Sequence, residues 1–320
     1  MNLHRAAVGA PLALLIAANS AVASCGSAFC MANTNWGVQG VTEPGWFFDF
    51  HFEYIDQDQP RAGSRSVAVG EIPLHHDEVE TINRNYITTI AYGFTPEWGV
   101  SVIVPWVDRD HQHIHNHRGE KLLETWKFNE LGDIRVQASY QKALTSASAE
   151  RAGFVGVLGG LKLPTGKTDV TNSEGAVAER SLQPGTGTTD LVFGAYYREM
   201  LPAMNSSWFA QVTAKQPLNS HDNFRSGTQV DLDLGYRYDV NDKVALMLQL
   251  NYNWKDRDKG SEAEPNDSGG QTFALTPGIN VAVSPNVNVY AFVQLPVYQR
   301  VNSVQLTADW AASVGINAQF

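Results

Sequence analysis

Apolar and polar residues alternate with a period of two along most of the chain beyond residue 45. The clearest run is Thr228 to Val240. Thr228, Val230, Leu232, Leu234, Tyr236, Tyr238 and Val240 fall on one face, and Gln229, Asp231, Asp233, Gly235, Arg237 and Asp239 on the other. Successive strand side chains point to opposite faces, so the run predicts a strand with one oily and one charged side. The next run repeats it, with Val244, Leu246, Leu248, Leu250, Tyr252 and Trp254 against Gln249, Asn251 and Asn253. Twelve such strands are predicted, at 46–56, 81–93, 98–108, 132–143, 153–163, 188–200, 207–215, 228–240, 243–254, 271–283, 287–296 and 305–320. They are long. A tilted strand crossing a bilayer needs about 9–11 residues, whereas strands of soluble proteins average about 5–6.

The predicted connections alternate in length. Gln57 to Glu80, Arg109 to Leu131, Pro164 to Gly187 and Lys255 to Gly270 are long, while Phe94 to Glu97, Leu201 to Ser206, Asn241-Asp242 and Ser284 to Asn286 are short, and Thr145 to Ala152 is intermediate. Long loops on one side and tight turns on the other are the habit of outer-membrane barrels. Trp98 opens one strand and Trp106 closes it, and Trp46, Trp208 and Trp254 also sit at strand ends, as interfacial girdles require. A solid core would have to bury Asp231, Asp233 and Arg237 beside Asp133, Arg135 and Gln137, which a wet lumen holds at far lower cost. The fold expected is an all-β, transmembrane, antiparallel up-and-down barrel of twelve strands, with both termini in the periplasm.

Two runs fit poorly. In 81–93, Arg84 shares a face with Ile82, Tyr86, Ile90 and Tyr92, while Ile87 points the other way. In 287–296, Val289 and Val293 oppose Tyr290 and Phe292, so the oily side stays unassigned. A bulge would account for either. The final run places Leu306, Ala308, Trp310, Ala312, Val314, Ile316, Ala318 and Phe320 on one face.

The N-terminal region reads differently. His4 and Arg5 precede a small-residue and Leu-rich stretch from Ala6 to Ala18, and Ala21-Val22-Ala23 offers a cleavage pattern, so residues 1–23 are expected to be an export signal. Residues 24–45 then form a periplasmic or plug segment, and 46–320 the barrel. Beyond the signal region, no apolar stretch is long enough for a membrane helix. Cys25 and Cys30 are the two cysteines. Either they pair as a local disulfide, or Cys25 carries a lipid, since Val22-Ala23-Ser24-Cys25 matches a bacterial lipobox. The 33 acidic against 23 basic residues argue against a nucleic-acid partner, which wants a basic footprint.

Four segments carry a family resemblance: Tyr92 to Trp106 (YGFTPEWGVSVIVPW), Leu131 to Gln141 (LGDIRVQASYQ), Gly160 to Asp169 (GLKLPTGKTD) and Gln183 to Tyr197 (QPGTGTTDLVFGAYY). In order and spacing they resemble the MetA-pathway-of-phenol-degradation family of outer-membrane proteins. The resemblance runs from about residue 40 to the C-terminus and implies an outer-membrane barrel with a transport role. A closing amphipathic strand ending in Phe320 also resembles the signal read by the barrel-assembly machinery.

Candidate chemistry lies in two places. His111, His113, His115 and His117 fall at every second position, on one side of an extended backbone, and His75 and His76 precede them in the previous loop. Neutral imidazoles suit zinc, copper or nickel. The second place is the predicted lumen, where Asp49, His51, Glu53, Asp133, Arg135, Asp231, Asp233 and Arg237 would either filter permeants by charge or brace the wall. No nucleophile elbow or phosphate-binding glycine loop is present, and the chain is expected to be neither an enzyme nor a cofactor carrier. His51 and Ser101 are the members a hydrolase site would use. The expected function is passive passage of small molecules across the outer membrane among its lipids, and the resemblance implies apolar or aromatic compounds. The alternative is a metal-binding or adhesive surface protein acting through the His-rich loops.

Overall fold

A computed structural model describes Met31 and residues 44–73, 77–117, 120–144 and 152–320. The strands in chain order are β1 (Gly45–Gln57), β2 (Gln59–Ala62), β3 (Arg65–Ser66), β4 (Asp77–Gly93), β5 (Trp98–His117) and β6 (Glu120–Leu131). There follow β7 (Arg135–Leu144), β8 (Ala152–Lys162), β9 (Asp190–Leu201), β10 (Ser206–Pro217) and β11 (Gln229–Asp239). The last are β12 (Val244–Lys255), β13 (Gly270–Ser284), β14 (Val287–Val301), β15 (Val304–Thr307) and β16 (Ala311–Gln319). Each wall strand pairs antiparallel with its neighbours, β1 joins β16, and β4 joins β5, which closes twelve strands into a barrel. Closure removes the unpaired edges that lipid would not tolerate. At the seam, the backbones of Trp46 and Phe320 exchange hydrogen bonds at 3.0 and 2.8 Å. Gly45, at φ +136, lies so close to the Phe320 carbonyl that a side chain there would collide with it.

Burial is inverted relative to a soluble protein. On β11, Asp233 is 6% exposed and Leu234 is 46% exposed. The same alternation runs round the wall, with Ile316, Leu248, Val157 and Val102 outside and Ser313, Gln249, Gln137 and Ser101 inside. An outward apolar band of this kind is the surface a bilayer solvates. Aromatic rings mark its two margins. Trp46–Tyr92, Trp98–Tyr140 and Tyr197–Trp208 meet near the short turns at 4.8–5.0 Å between centroids. Phe52–Tyr86 and Tyr54–Trp310 meet toward the long loops at 5.1 and 5.7 Å.

The two ambiguous runs resolve differently. β4 is regular from Thr81 to Gly93, with Ile87 inside and Arg84 outside; its register shift lies earlier, between Glu78 and Glu80. Arg84 is tolerated on the outer face because it binds Asp108 at 3.0 Å and Asp110 at 2.9 Å, beyond the upper girdle. On β14, Tyr290 and Phe292 turn inward and Val289 and Val293 outward, and a register shift against β13 falls further along, between Phe273 and Ala274.

Two predicted segments are corrected. The long loop from Arg109 to Leu131 is instead a hairpin, because β5 continues past the barrel rim and pairs with β6 from Trp106–Leu131 to His117–Glu120. The run 305–320 is broken at 308–310. β15 leaves the wall to pair with β2, which also pairs with β3, in a small sheet, and this takes Leu306 and Ala308 off the lipid face into full burial. The physical reason is length: β16 alone covers the apolar band. The signal segment, Cys25, Cys30, His75 and His76 lie outside the described residues. Met31 is buried against Ile55, Ala308 and Ala311.

Candidate functional site

Alternation along β1 turns Asp49, His51 and Glu53 inward, all nearly fully buried. His51 Nδ1 lies 2.9 Å from Asp49 Oδ1 and its Nε2 3.5 Å from Glu53 Oε1. Asn85 from β4 donates to Glu53 at 3.1 Å, and the Tyr290 hydroxyl from β14 donates to Asp49 at 2.8 Å. With both ring nitrogens turned to carboxylates, His51 is poorly placed to activate Ser101, which faces inward from β5.

On another arc of the wall, β11 presents Asp231 and Asp233. Asn251 donates to Asp233 at 2.7 Å, and Asn253 and Gln229 donate to Asp231. Lys215 on β10 and Arg135 on β7 lie within electrostatic reach of Asp231. Arg237 binds Asp239 at 2.8 Å and is only partly covered. Away from the Lys162 cluster, Arg135, Arg198 and Lys215 lie on β7, β9 and β10, and Asp231, Asp233, Asp49 and Glu53 on β11 and β1, with Arg237 also on β11. Sequence reasoning missed Lys162, Lys215, Arg198 and Tyr290. The parity of Gln211, Thr213 and Lys215 was a usable signal for Lys215; the glycines of β8 blur the parity that would have marked Lys162.

Asp133 has a different role, and it brings three of the four family-like segments together. Lys162, 1% exposed at the end of β8, binds Asp133 at 2.6 Å and the Thr188 carbonyl at 2.9 Å, donates to the Thr186 hydroxyl, and lies 3.4 Å from Asp190. Asp133 also accepts from the backbone N–H of Gly166 at 3.0 Å and of Thr186 at 2.9 Å. The Thr165 hydroxyl donates to the Gly132 carbonyl and accepts from the Ile134 N–H. Gly166 and Gly185 pack backbone to backbone, leaving no room for a Cβ on either. These residues clamp the two ends of the 163–189 loop.

The clamped loop folds over the barrel mouth. Ala178 and Leu182 bury themselves against Trp126 of β6, and Arg109 donates to the Leu182 carbonyl at 2.6 Å. His111 and His113 lie beneath it, beyond Trp106 and so outside the membrane-spanning stretch. Their rings form a ladder: Thr81 to His111 Nδ1 at 2.7 Å, His111 Nε2 to His113 Nδ1 at 3.3 Å, and His113 Nε2 to Glu124 at 3.2 Å. Burial pushes His111 down to about 3, so its imidazole is neutral. Among the described residues no three His, Cys, Asp or Glu side chains converge to hold a metal. Only the backbone of His115 and His117 is described.

Glu78, also at the mouth, accepts from the Leu306 N–H at 2.9 Å. Burial, reinforced by the carboxylates of Glu179, Glu264 and Asp267, pushes it up to about 8. A raised folded-state value means the folded mouth holds this proton more tightly than the free chain. The stabilisation is therefore complete below the ordinary value of 4.5 and is lost as pH rises through about 8. Hydrogen exchange of Val304 to Thr307, corrected for intrinsic rates, should accelerate between about pH 5 and 8 and level off above that. Glu78→Gln should flatten that slope; identical slopes in both proteins would contradict the assignment.

Two chambers flank the crowded middle of the barrel. One of about 560 Å³ at the long-loop end is lined by Glu78, Glu179, Asp258, Glu262, Glu264 and Asp267, with Arg180 and Lys255. Another of about 520 Å³ at the short-turn end is lined by Arg198, Arg237, Asn280, Asn288 and Asn317, with Met247, Tyr290 and Phe292 as its apolar part.

A model of the family described as "Putative MetA-pathway of phenol degradation" matches residues 76–311. No curated protein sequence matches the chain. Among solved structures, the COG4313 outer membrane channel from Pseudomonas putida F1 is similar at a TM-score of 0.68 and 13% identity, covering 89% of this chain and 99% of that one. The Ralstonia pickettii toluene transporter TbuX is more distant, with a TM-score of 0.41 and 9% identity over 88% of this chain and 91% of that one. The translocator domain of the autotransporter NalP from Neisseria meningitidis is as distant, at 0.40 and 9% over 86% and 88%.

Proposed function

The chain belongs to the MetA-pathway-of-phenol-degradation family of outer-membrane β-barrels, and from that premise we propose that it passes small molecules across the bacterial outer membrane passively, through its lumen. The observation that carries this reading is the charged interior. Asp49, Glu53, Arg135, Lys215, Asp231 and Asp233 stand on the inner wall, where a permeant would meet them. Rings of such groups are how channels discriminate between permeants. A twelve-stranded wall encloses less space than the roughly 16–18 strands of an open porin, so the permeants are small. The COG4313 outer membrane channel from Pseudomonas putida F1, to which the fold is similar, is consistent with this reading.

The short turns and both ends of the barrel chain face the periplasm in this reading, and the β5–β6 hairpin and the 163–189 loop face outward. The final strand, ending at Phe320, is what the assembly machinery engages. The eight charged residues expected from the sequence then divide by role. Asp49, His51, Glu53, Arg135, Asp231 and Asp233 line the path, Arg237 lines the short-turn chamber, and Asp133 clamps the outer loop.

Reconstitution in planar bilayers tests the proposal. The purified protein should conduct ions in small, resolved steps, and Asp231→Asn with Asp233→Asn should shift the reversal potential toward anions. An electrically silent protein, or an unchanged reversal potential in the double variant, would count against a conducting lumen lined by these residues.

A further inference from the structure

The chamber at the short-turn end is built unlike the rest of the lumen. Several buried charges of the lumen meet counter-charges or amides: Lys162 has Asp133, Asp233 has Asn251, and His51 has Asp49. Arg198 does not. It extends from β9 with its guanidinium 4.9 Å over the Phe154 ring, and its Nε is buried with no acceptor among the described residues. The ring face offsets part of the cost of desolvating the cation, but it accepts none of the five N–H bonds in the plane of the fork. A buried donor of this kind is costly and asks for an explanation.

The surroundings supply one. Arg198 and Arg237 both border the 520 Å³ space, and Asp239, already bound by Arg237 at 2.8 Å, is the single carboxylate on its lining. The lining is therefore net positive by one charge. Opposite, Asn280 donates to Asn288 at 3.3 Å and Asn288 donates to Asn317 at 3.2 Å, an amide chain that adds hydrogen-bonding groups without charge. Met247, Tyr290 and Phe292 form the apolar part, and the Tyr290 hydroxyl is held away from it by Asp49. A volume in this range suits an organic molecule of modest size.

From this arrangement we infer that the short-turn chamber is a binding site for a small monoanionic carboxylate with an apolar body. The carboxylate takes the Nη end of the Arg198 guanidinium where that side chain borders the chamber, and the body lies against Phe292, Met247 and the Tyr290 ring. Planar guanidinium and carboxylate match as a bidentate pair, which a lysine at 198 would not reproduce. The inference rests on the channel reading and names a class of permeant for it.

Benzoate is the probe, with benzamide as its uncharged isostere, each titrated by calorimetry into the detergent-solubilised full chain. Benzoate should bind, benzamide at least about tenfold more weakly, and Arg198→Gln should cost benzoate a similar factor, the scale of one charge-assisted hydrogen bond. Arg198→Lys should recover only part of the loss. Each variant is first checked for the heat-modifiable gel mobility of a folded barrel. Equal binding of benzoate and benzamide, or of benzoate to wild type and Arg198→Gln, would overturn the site. Conductance in potassium chloride separates the two claims. A conducting protein indifferent to benzoate loses the site and keeps the channel, whereas a silent protein that binds benzoate through Arg198 keeps the site and loses the channel.

Discussion

Lys162→Met should both weaken the barrel and open its mouth. The ammonium is buried among Asp133, Asp190, Thr186 and the Thr188 carbonyl. Removing it leaves two buried carboxylates without their cation, a change that costs about 3–5 kcal/mol when one partner of a buried pair is deleted. Asp133 keeps its bonds from Gly166 and Thr186, so the loss falls toward the lower end of that range. The clamp on the 163–189 loop then loosens, and Leu182 and Ala178 leave Trp126. Urea unfolding in vesicles should show the destabilisation, and single-channel recordings should show larger or more variable conductance steps. The control is the triple variant Lys162→Met, Asp133→Asn, Asp190→Asn, which removes all three charges and keeps a side-chain oxygen for the Gly166 and Thr186 N–H groups. It should recover part of the stability, since no uncompensated charge is left buried, yet leave the loop loose. A single variant as stable and as narrow as the wild type would show that the hub braces nothing.

The second large effect concerns the lipid face. Leu234 points outward near the middle of β11, and Tyr238 points outward four residues nearer the short-turn margin. Leu234→Arg should destabilise the folded barrel in vesicles by about 2–4 kcal/mol, and Tyr238→Arg by only about 0–1, because the cost of a lipid-facing cation falls from the midplane to the interface. Leu234→Ala separates the charge from the lost side chain and should cost less than Leu234→Arg. Placing the same arginine inward at Gln249, which is fully buried on the neighbouring strand, tests lumen crowding instead and should act on conductance. If the two outward variants were equally harmful, the outer band would not be graded by membrane depth, and the assignment of the midplane to Leu234 would fail.

The pH response of Glu78 and the carboxylate preference at Arg198 are smaller effects, but they bear on different ends of the same path. The long-loop chamber is acidic and the short-turn one carries a net positive charge. A permeant anion would be repelled at the long-loop chamber and held at the short-turn one.

Most of the wall was legible from the linear order of residues. Period-two alternation is a local property, and lipid on one side with water on the other enforces it strand by strand. Ten of the twelve predicted strands lie where their own pattern puts them, to within a few residues. Leu232, Leu234 and Tyr236 face out and Asp231 and Asp233 face in because nothing nonlocal opposes that preference. The exceptions are the places where a distant partner decides. β5 runs past Trp106 because β6 is there to pair with it. Leu306 leaves the lipid face because β15 finds β2, more than two hundred residues earlier in the chain.

The site depended still more on assembly. The sequence placed charges on the inner face, yet it carried no sign that Asp133 belongs to a clamp, since its partners Lys162 and Thr186 meet it only when two loop ends converge. The alternation of 287–296 leaves the side of Tyr290 and Phe292 open, and it is Asp49, 241 positions away, that receives the Tyr290 hydroxyl inside the wall. Arg198 is unremarkable as a residue and becomes informative only when the closed wall shows what stands around it. Sidedness is set residue by residue through contact with lipid or water, whereas a counter-charge, its absence or a chamber is a relation between strands that exists only once the ring has closed.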